Sequence, residues 1–208
     1  MISFAPIINE FFTKTNDMKK CYLIVLIMFA ALSANVQAQL YMQGFNGGSV
    51  PADWSTLITN DPGTDPAITF ETTSLYPAGL VPTEGTHMVR FNSYDVYSGG
   101  SIRLFMSTGF STMGGYSGAN VSFDWMTDDE YTSPDRVVVQ YSIDAGTTWN
   151  DVSTFNREGT AAAAFGNVSC VLPPAAMNQA DVRLAFHFIS GYGNDCYLDN
   201  LVVTGITT

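Results

Sequence analysis

The chain has 208 residues, of which 19 are acidic and eight basic, for a net charge of −11. That length allows one sizeable core, and the acidity excludes partners held by phosphate contacts, so neither nucleic acid nor an anionic lipid surface is expected. Three cysteines in all, widely spaced, disfavour a zinc site.

From the N-terminus, Met18-Lys19-Lys20 precedes an apolar run, Cys21 to Leu32, and then Val36-Gln37-Ala38. A basic start, a short apolar stretch and a small-residue site together predict a secretory signal peptide over residues 1–38, with Met18 as the true start and cleavage after Ala38. The run is too short for a transmembrane helix, and none is expected later in the chain. Cys21 stands at the front of the apolar run, which argues against lipid anchoring. The predicted destination is therefore secreted or at the outer cell surface. Removing this segment leaves 17 acidic residues against five arginines, with no lysine.

From Gln39 onward, short alternating stretches are separated by Gly, Pro, Asn, Asp and Ser. The pattern predicts strands near 40–46, 68–73, 86–93, 101–108, 119–127, 136–143, 148–153, 166–172, 181–190 and 195–204. The alanine run after Thr160 is read as a loop. Ten strands without helices or an internal repeat imply an all-β chain, an antiparallel β-sandwich of jelly-roll type, with residues 39–208 as a single domain. Cys170 and Cys196 are free to form a bridge in an oxidising compartment or to be buried separately.

The clearest strand places Val121, Phe123 and Trp125 on one face and Ser122, Asp124 and Met126 on the other. After a second strand comes Ser142-Ile143-Asp144-Ala145-Gly146-Thr147-Thr148-Trp149, which resembles the Asp-box hairpin. In such a hairpin Asp accepts turn amides, Gly takes positive φ and Trp anchors the returning strand on the core. Sialidase propellers carry several copies along longer chains; a single copy reads as structural. Near the C-terminus Asp199 sits in an otherwise apolar strand, Tyr197 to Val203, and needs backbone amides or a cation as a partner.

The stretches GFNGGSVPADW, SFDW, DRVVVQYSIDAGTTW, RLAFHF and YLDNLVVTG, in this order, resemble the MAM-like jelly rolls of secreted bacterial proteins. These include the cleaved-adhesin domains of gingipain-type proteases and the choice-of-anchor domains. The resemblance implies an adhesin-like binding module with a structural calcium ion, held by Asp199 of the closing strand and by the residue after Phe45. That residue is Asn46 here, where the relatives often carry Glu. No sorting tail is visible after the domain, which leaves the attachment route open.

Two further acidic groups suggest cation sites of hard oxygen ligands. Asp128, Asp129 and Asp135 crowd one loop with Glu130, and Asp61 and Asp65 flank a Pro-Gly turn; solvated turn carboxylates are the preferred reading for both, with a cation as the alternative. Catalysis is not expected. The carboxylates near Asp124 lack the E-x-D-x-x-E pattern of jelly-roll glucanases, and His187, which would meet Asp124 were their strands neighbours, has no nucleophile setting. The preferred function is recognition of an extracellular glycan or protein surface by loop aromatics. Tyr94, Tyr97, Tyr116, Tyr131 and Tyr192 all lie in such loops, and Tyr94 and Tyr97 are the first choice. A structural or assembly module is the alternative, and a glycoside hydrolase a more remote one.

Overall fold

The structure, a computed structural model, describes residues 37–207. The expected signal peptide, save its last two residues, lies outside them. Eleven strands follow in order: β1 (Gln39–Gln43), β2 (Trp54–Asn60), β3 (Ile68–Glu71), β4 (Met88–Phe91), β5 (Ser101–Met106), β6 (Gly118–Thr127), β7 (Arg136–Ser142), β8 (Asn150–Asn156), β9 (Ala164–Val171), β10 (Arg183–Ile189) and β11 (Cys196–Ile206). Among the described residues, helix is limited to single 3₁₀ turns at Ser93–Asp95 and Pro174–Ala176.

Ten of the strands fall on predicted stretches; β2 does not. It forms the edge of its sheet, beside β5 only. Trp54 enters the core, but Leu57 and Ile58 are about half exposed, so the strand shows no alternation to read.

The strands form two antiparallel sheets. One runs β3-β4-β11-β6-β9, with β1 also paired to β11; the other runs β2-β5-β10-β7-β8. β4 pairs with the start of β11 and β1 with its second half. The core lies between the sheets. Val89, Phe91, Val121, Phe123, Trp125, Leu198 and Val203 come from one side, facing Ile102, Leu104, Val137, Val139, Phe186 and Phe188 from the other. These are the apolar halves of the alternations in the sequence, since successive residues of a strand point to opposite faces.

Two expectations are settled by this topology. His187 and Asp124 belong to different sheets, β10 and β6, so they do not meet; His187 Nε2 instead lies 2.9 Å from Thr59 Oγ1. Cys170 and Cys196 are both free, on β9 and β11, with β6 between them. Two strand spacings, about 9–10 Å, exceed the roughly 7 Å that a disulfide spans between Cα atoms.

The Asp-box turn forms in part as predicted. Asp144 Oδ1 accepts the Thr148 N–H at 2.9 Å, and Gly146 has φ of +85°. Trp149, however, packs outside the core. It sits on the outer face of the second sheet, edge to face with Phe105 and under the Arg103 guanidinium. Phe105 and Arg103 alternate with the inward Ile102 and Leu104, which is why a tryptophan resting on them faces outward.

Candidate functional site

At one end of the sandwich four loops are tied together by buried charge. Asp135, just before β7, accepts hydrogen bonds from the hydroxyls of Ser93 and Ser133 and from the Gly191 amide at 2.7 Å. Arg157, just after β8, reaches it through Nε at 3.2 Å and reaches Asp128 Oδ1 through Nη1 at 2.6 Å. All three side chains are closed to solvent. The positive charge among Asp128 and Asp135 is thus the Arg157 guanidinium. Of the three residues considered for a cation, Asp128 and Asp135 bind this guanidinium, while Asp129 is exposed and stands apart from the bonded network. Burial alone would lower the guanidinium's proton affinity, but the bond to Asp128 and the charges of both carboxylates raise it above its ordinary value.

The same guanidinium shapes the loop backbone. Its Nη1 donates to Glu130 O at 3.1 Å and its Nη2 to Tyr131 O at 2.7 Å. Glycine is required nearby, since a Cβ on Gly193 would fall 2.2 Å from Asp135 Oδ2 and 2.6 Å from Arg157 Nη2.

Above this network lies an open cleft of about 430 Å³, lined by Tyr94, Tyr97, Tyr131 and Tyr192 with Asp95 and Thr64. The two tyrosines chosen from the sequence, Tyr94 and Tyr97, are therefore brought together with two of the other loop tyrosines. The fifth, Tyr116, lies elsewhere, over Gly205 of β11. Tyr94 and Tyr131 stand nearly perpendicular with centroids 6.3 Å apart, as do Tyr97 and Tyr192 at 5.6 Å. Tyr76 stacks on Tyr94 at 4.1 Å. Tyr131 and Tyr192 have φ of +53° and +68°, a left-handed backbone that is a true outlier for bulky residues. Such strain persists only where the surroundings impose it, and here it aims both rings into the cleft.

Below the cleft, Arg90 Nε binds the buried Asp195 at 2.6 Å, and its Nη2 lies 3.7 Å from Asp95. Burial raises the Asp195 carboxyl despite Arg90. Tyr94 is also raised, first by the Tyr131 phenol, then by partial desolvation, Tyr76 and Asp95.

The second predicted metal pair, Asp199 and Asn46, flanks the segment 83–86. Asp199 Oδ2 accepts the Thr83 and Glu84 amides at 2.8 and 2.9 Å and the Thr83 hydroxyl at 3.2 Å, while Oδ1 accepts the Asn200 amide at 2.7 Å. Asn46 turns its amide nitrogen to Glu84 Oε2 at 2.6 Å and its oxygen to the Thr86 N–H at 2.6 Å. Calcium takes six to eight converging oxygens. Asp199 and Asn46 supply three side-chain oxygens between them, and here these accept N–H and O–H donors, so the partner that Asp199 needs is provided by backbone amides. Among the described residues no three acidic, histidine or cysteine side chains converge as metal ligands. Asp61 binds its own turn, accepting the Gly63 and Thr64 amides.

Neither a family model nor a curated protein matches the chain. Solved structures do. The chain is similar to the K3 cleaved adhesin domain of Lys-gingipain from Porphyromonas gingivalis W83, at 19% identity over 81% of this chain and 100% of that one, with a TM-score of 0.58. The K1 domain of the same protein is similar at 15% identity, 81% and 99% coverage, and a TM-score of 0.55. The fold is that of a cleaved adhesin domain. The chain is also similar to a Stig cyclase from Fischerella sp. TAU, at 10% identity, 82% and 100% coverage, and a TM-score of 0.52. Adhesin domains and an enzyme are therefore both similar to this chain, and function has to be argued from the cleft.

Proposed function

We propose that this protein is a secreted or outer-surface binding module of adhesin type, without catalytic activity, whose tyrosine cleft recognises an extracellular glycan. The observation that carries this reading is the convergence of four tyrosines from three loops, two of them in left-handed backbone. Phenol rings offer apolar faces for sugar C–H groups and hydroxyls for sugar oxygens. The carboxylate lining the cleft is Asp95, whereas glycoside hydrolysis employs two across the scissile bond.

Screening the chain from Gln39 onward on a glycan array, followed by tyrosine-emission titration of the hits, tests the reading. The expected result is a saturable hit weakened at least tenfold by Tyr97→Ala. Silence on glycans together with binding to an extracellular protein moves the cleft to the protein-surface alternative. Silence on both overturns recognition in favour of an assembly module. Export is checked by the N-terminus of protein recovered from the medium or cell surface, expected at Gln39.

A further inference from the structure

Two nearly perpendicular tyrosine pairs and a lining carboxylate mark the cleft. The ring planes meet at 76° and 74°, and both pairs line one cavity. Perpendicular aromatic walls surround a compact group, and the negative face of each ring attracts a positive one.

The charges beneath and beside the rings agree. Arg90 is shared between two carboxylates, the buried Asp195 and the exposed Asp95. The three groups together leave one negative charge, and the Asp95 carboxylate belongs to the cleft lining. Arg157 is likewise shared, between Asp128 and Asp135. With 17 acidic residues and five arginines from Gln39 onward, the surrounding field also favours a cationic ligand.

We propose that the cleft binds the ammonium group of an amino sugar, so that the recognised glycan is one bearing free amines. This rests on the glycan-binding reading and names its substrate class. The amine would sit among Tyr94, Tyr97, Tyr131 and Tyr192, with Asp95 as counter-charge and the sugar ring resting on the rim.

The test compares two oligosaccharides of one length and linkage, a hexamer of glucosamine and a hexamer of N-acetylglucosamine, by calorimetry at pH 6 in low and moderate salt. The expected result is at least tenfold tighter binding of the amine form, lost in Tyr97→Ala and Tyr192→Ala, weakened severalfold in Asp95→Asn, and competed by tetramethylammonium. These residues are exposed, and circular dichroism of each variant confirms its fold. Equal binding of both hexamers that still requires the tyrosines overturns the charge preference and leaves the glycan reading standing. Amine binding that survives loss of the tyrosines is adhesion to the acidic surface and overturns the cage. Binding of neither hexamer overturns the amino-sugar proposal, and the array then decides the broader reading.

Discussion

Arg157 Nη1 lies 2.6 Å from Asp128 Oδ1, with both side chains fully enclosed and the Asp128 Oδ2 atom without a protein donor. The pair therefore depends on charge as much as on hydrogen bonding. Removing the cation leaves two buried carboxylates, Asp128 and Asp135, facing each other unpaired. Arg157→Met is expected to cost about 3–5 kcal/mol, the usual penalty for breaking a buried ion pair from one side. Arg157→Lys keeps the charge but cannot bond both aspartates and the Glu130 and Tyr131 carbonyls at once, so it too should lose stability, though less. Urea unfolding of the three proteins measures this; a loss below 1 kcal/mol in Arg157→Met would show that the loops are held by other contacts.

Asp144 provides a pH signature of the hairpin. The Thr148 amide and hydroxyl and the Ser142 hydroxyl all donate to its carboxylate and lower its pKa from 3.8 to about 2. A carboxyl whose folded pKa lies below its unfolded value adds stability that is present above the unfolded pKa and lost as pH falls through the folded one. Asp144→Ala should therefore unfold at lower urea than wild type at pH 7, and the gap should close between pH 4 and 2. A gap unchanged at pH 2 would assign the loss to turn geometry rather than to ionisation.

Strands with one buried face were legible because their side chains alternate, as Val121, Phe123 and Trp125 do in β6. The edge strand β2 was not, because Leu57 and Ile58 remain exposed. The loop context of Tyr94, Tyr97, Tyr131 and Tyr192 can be read from Gly, Ser and Asp neighbours, but their convergence cannot. It depends on Asp135 binding Ser93 and Gly191, 42 and 56 residues away. Arg157 carries no local signal at all: a single arginine between Asn156 and Glu158 reads as an exposed turn, and only the packing of four loops buries it. Likewise Asp199 was recognisable as a strand carboxylate in need of a partner, while the identity of that partner rested on the distant Thr83 and Glu84 amides.

Those amides predict how Asp199 behaves toward calcium. Asp199→Ala strips the acceptor from the part-buried Thr83, Glu84 and Asn200 N–H groups, and each lost hydrogen bond costs about 0.5–1.5 kcal/mol. The variant should melt several degrees below wild type whether calcium or chelator is present. Wild type itself is expected to show no calcium-dependent shift in Tm, since a ligand raises apparent stability only by binding the folded state. A rise with calcium that disappears in the variant would show that the segment around Thr83 and Glu84 rearranges to admit the ion.

The two thiols should resist modification in the native protein. Burial raises the Cys170 thiol to about 11 and the fully enclosed Cys196 thiol well above its ordinary value, and the thiolate is the reactive form. At pH 7.5 iodoacetamide should label native protein slowly at both positions, and quickly at both once urea is added, with or without prior reductant. Labelling that requires reductant would demonstrate a disulfide and refute the separate placement on β9 and β11.

The left-handed tyrosines predict a conflict between stability and binding. A non-glycine residue at φ of +53° or +68° costs on the order of 1 kcal/mol relative to glycine, which visits that region freely. Tyr131 and Tyr192 are each 56% exposed, so truncating them removes little buried surface. Tyr131→Gly and Tyr192→Gly are therefore expected to match or exceed wild type in urea unfolding, by up to about 1 kcal/mol after the added flexibility of the unfolded chain is subtracted. The same variants should lose glycan binding at least tenfold, because each removes a wall of the cleft. Tyr116→Gly serves as the comparison, since Tyr116 lies outside the cleft and should leave binding unchanged. If Tyr131→Gly and Tyr192→Gly lose stability by more than 1 kcal/mol, the rings support the loops rather than a ligand. If they gain stability and binding falls, the strain is retained for recognition, as expected where a fold holds side chains in place for function.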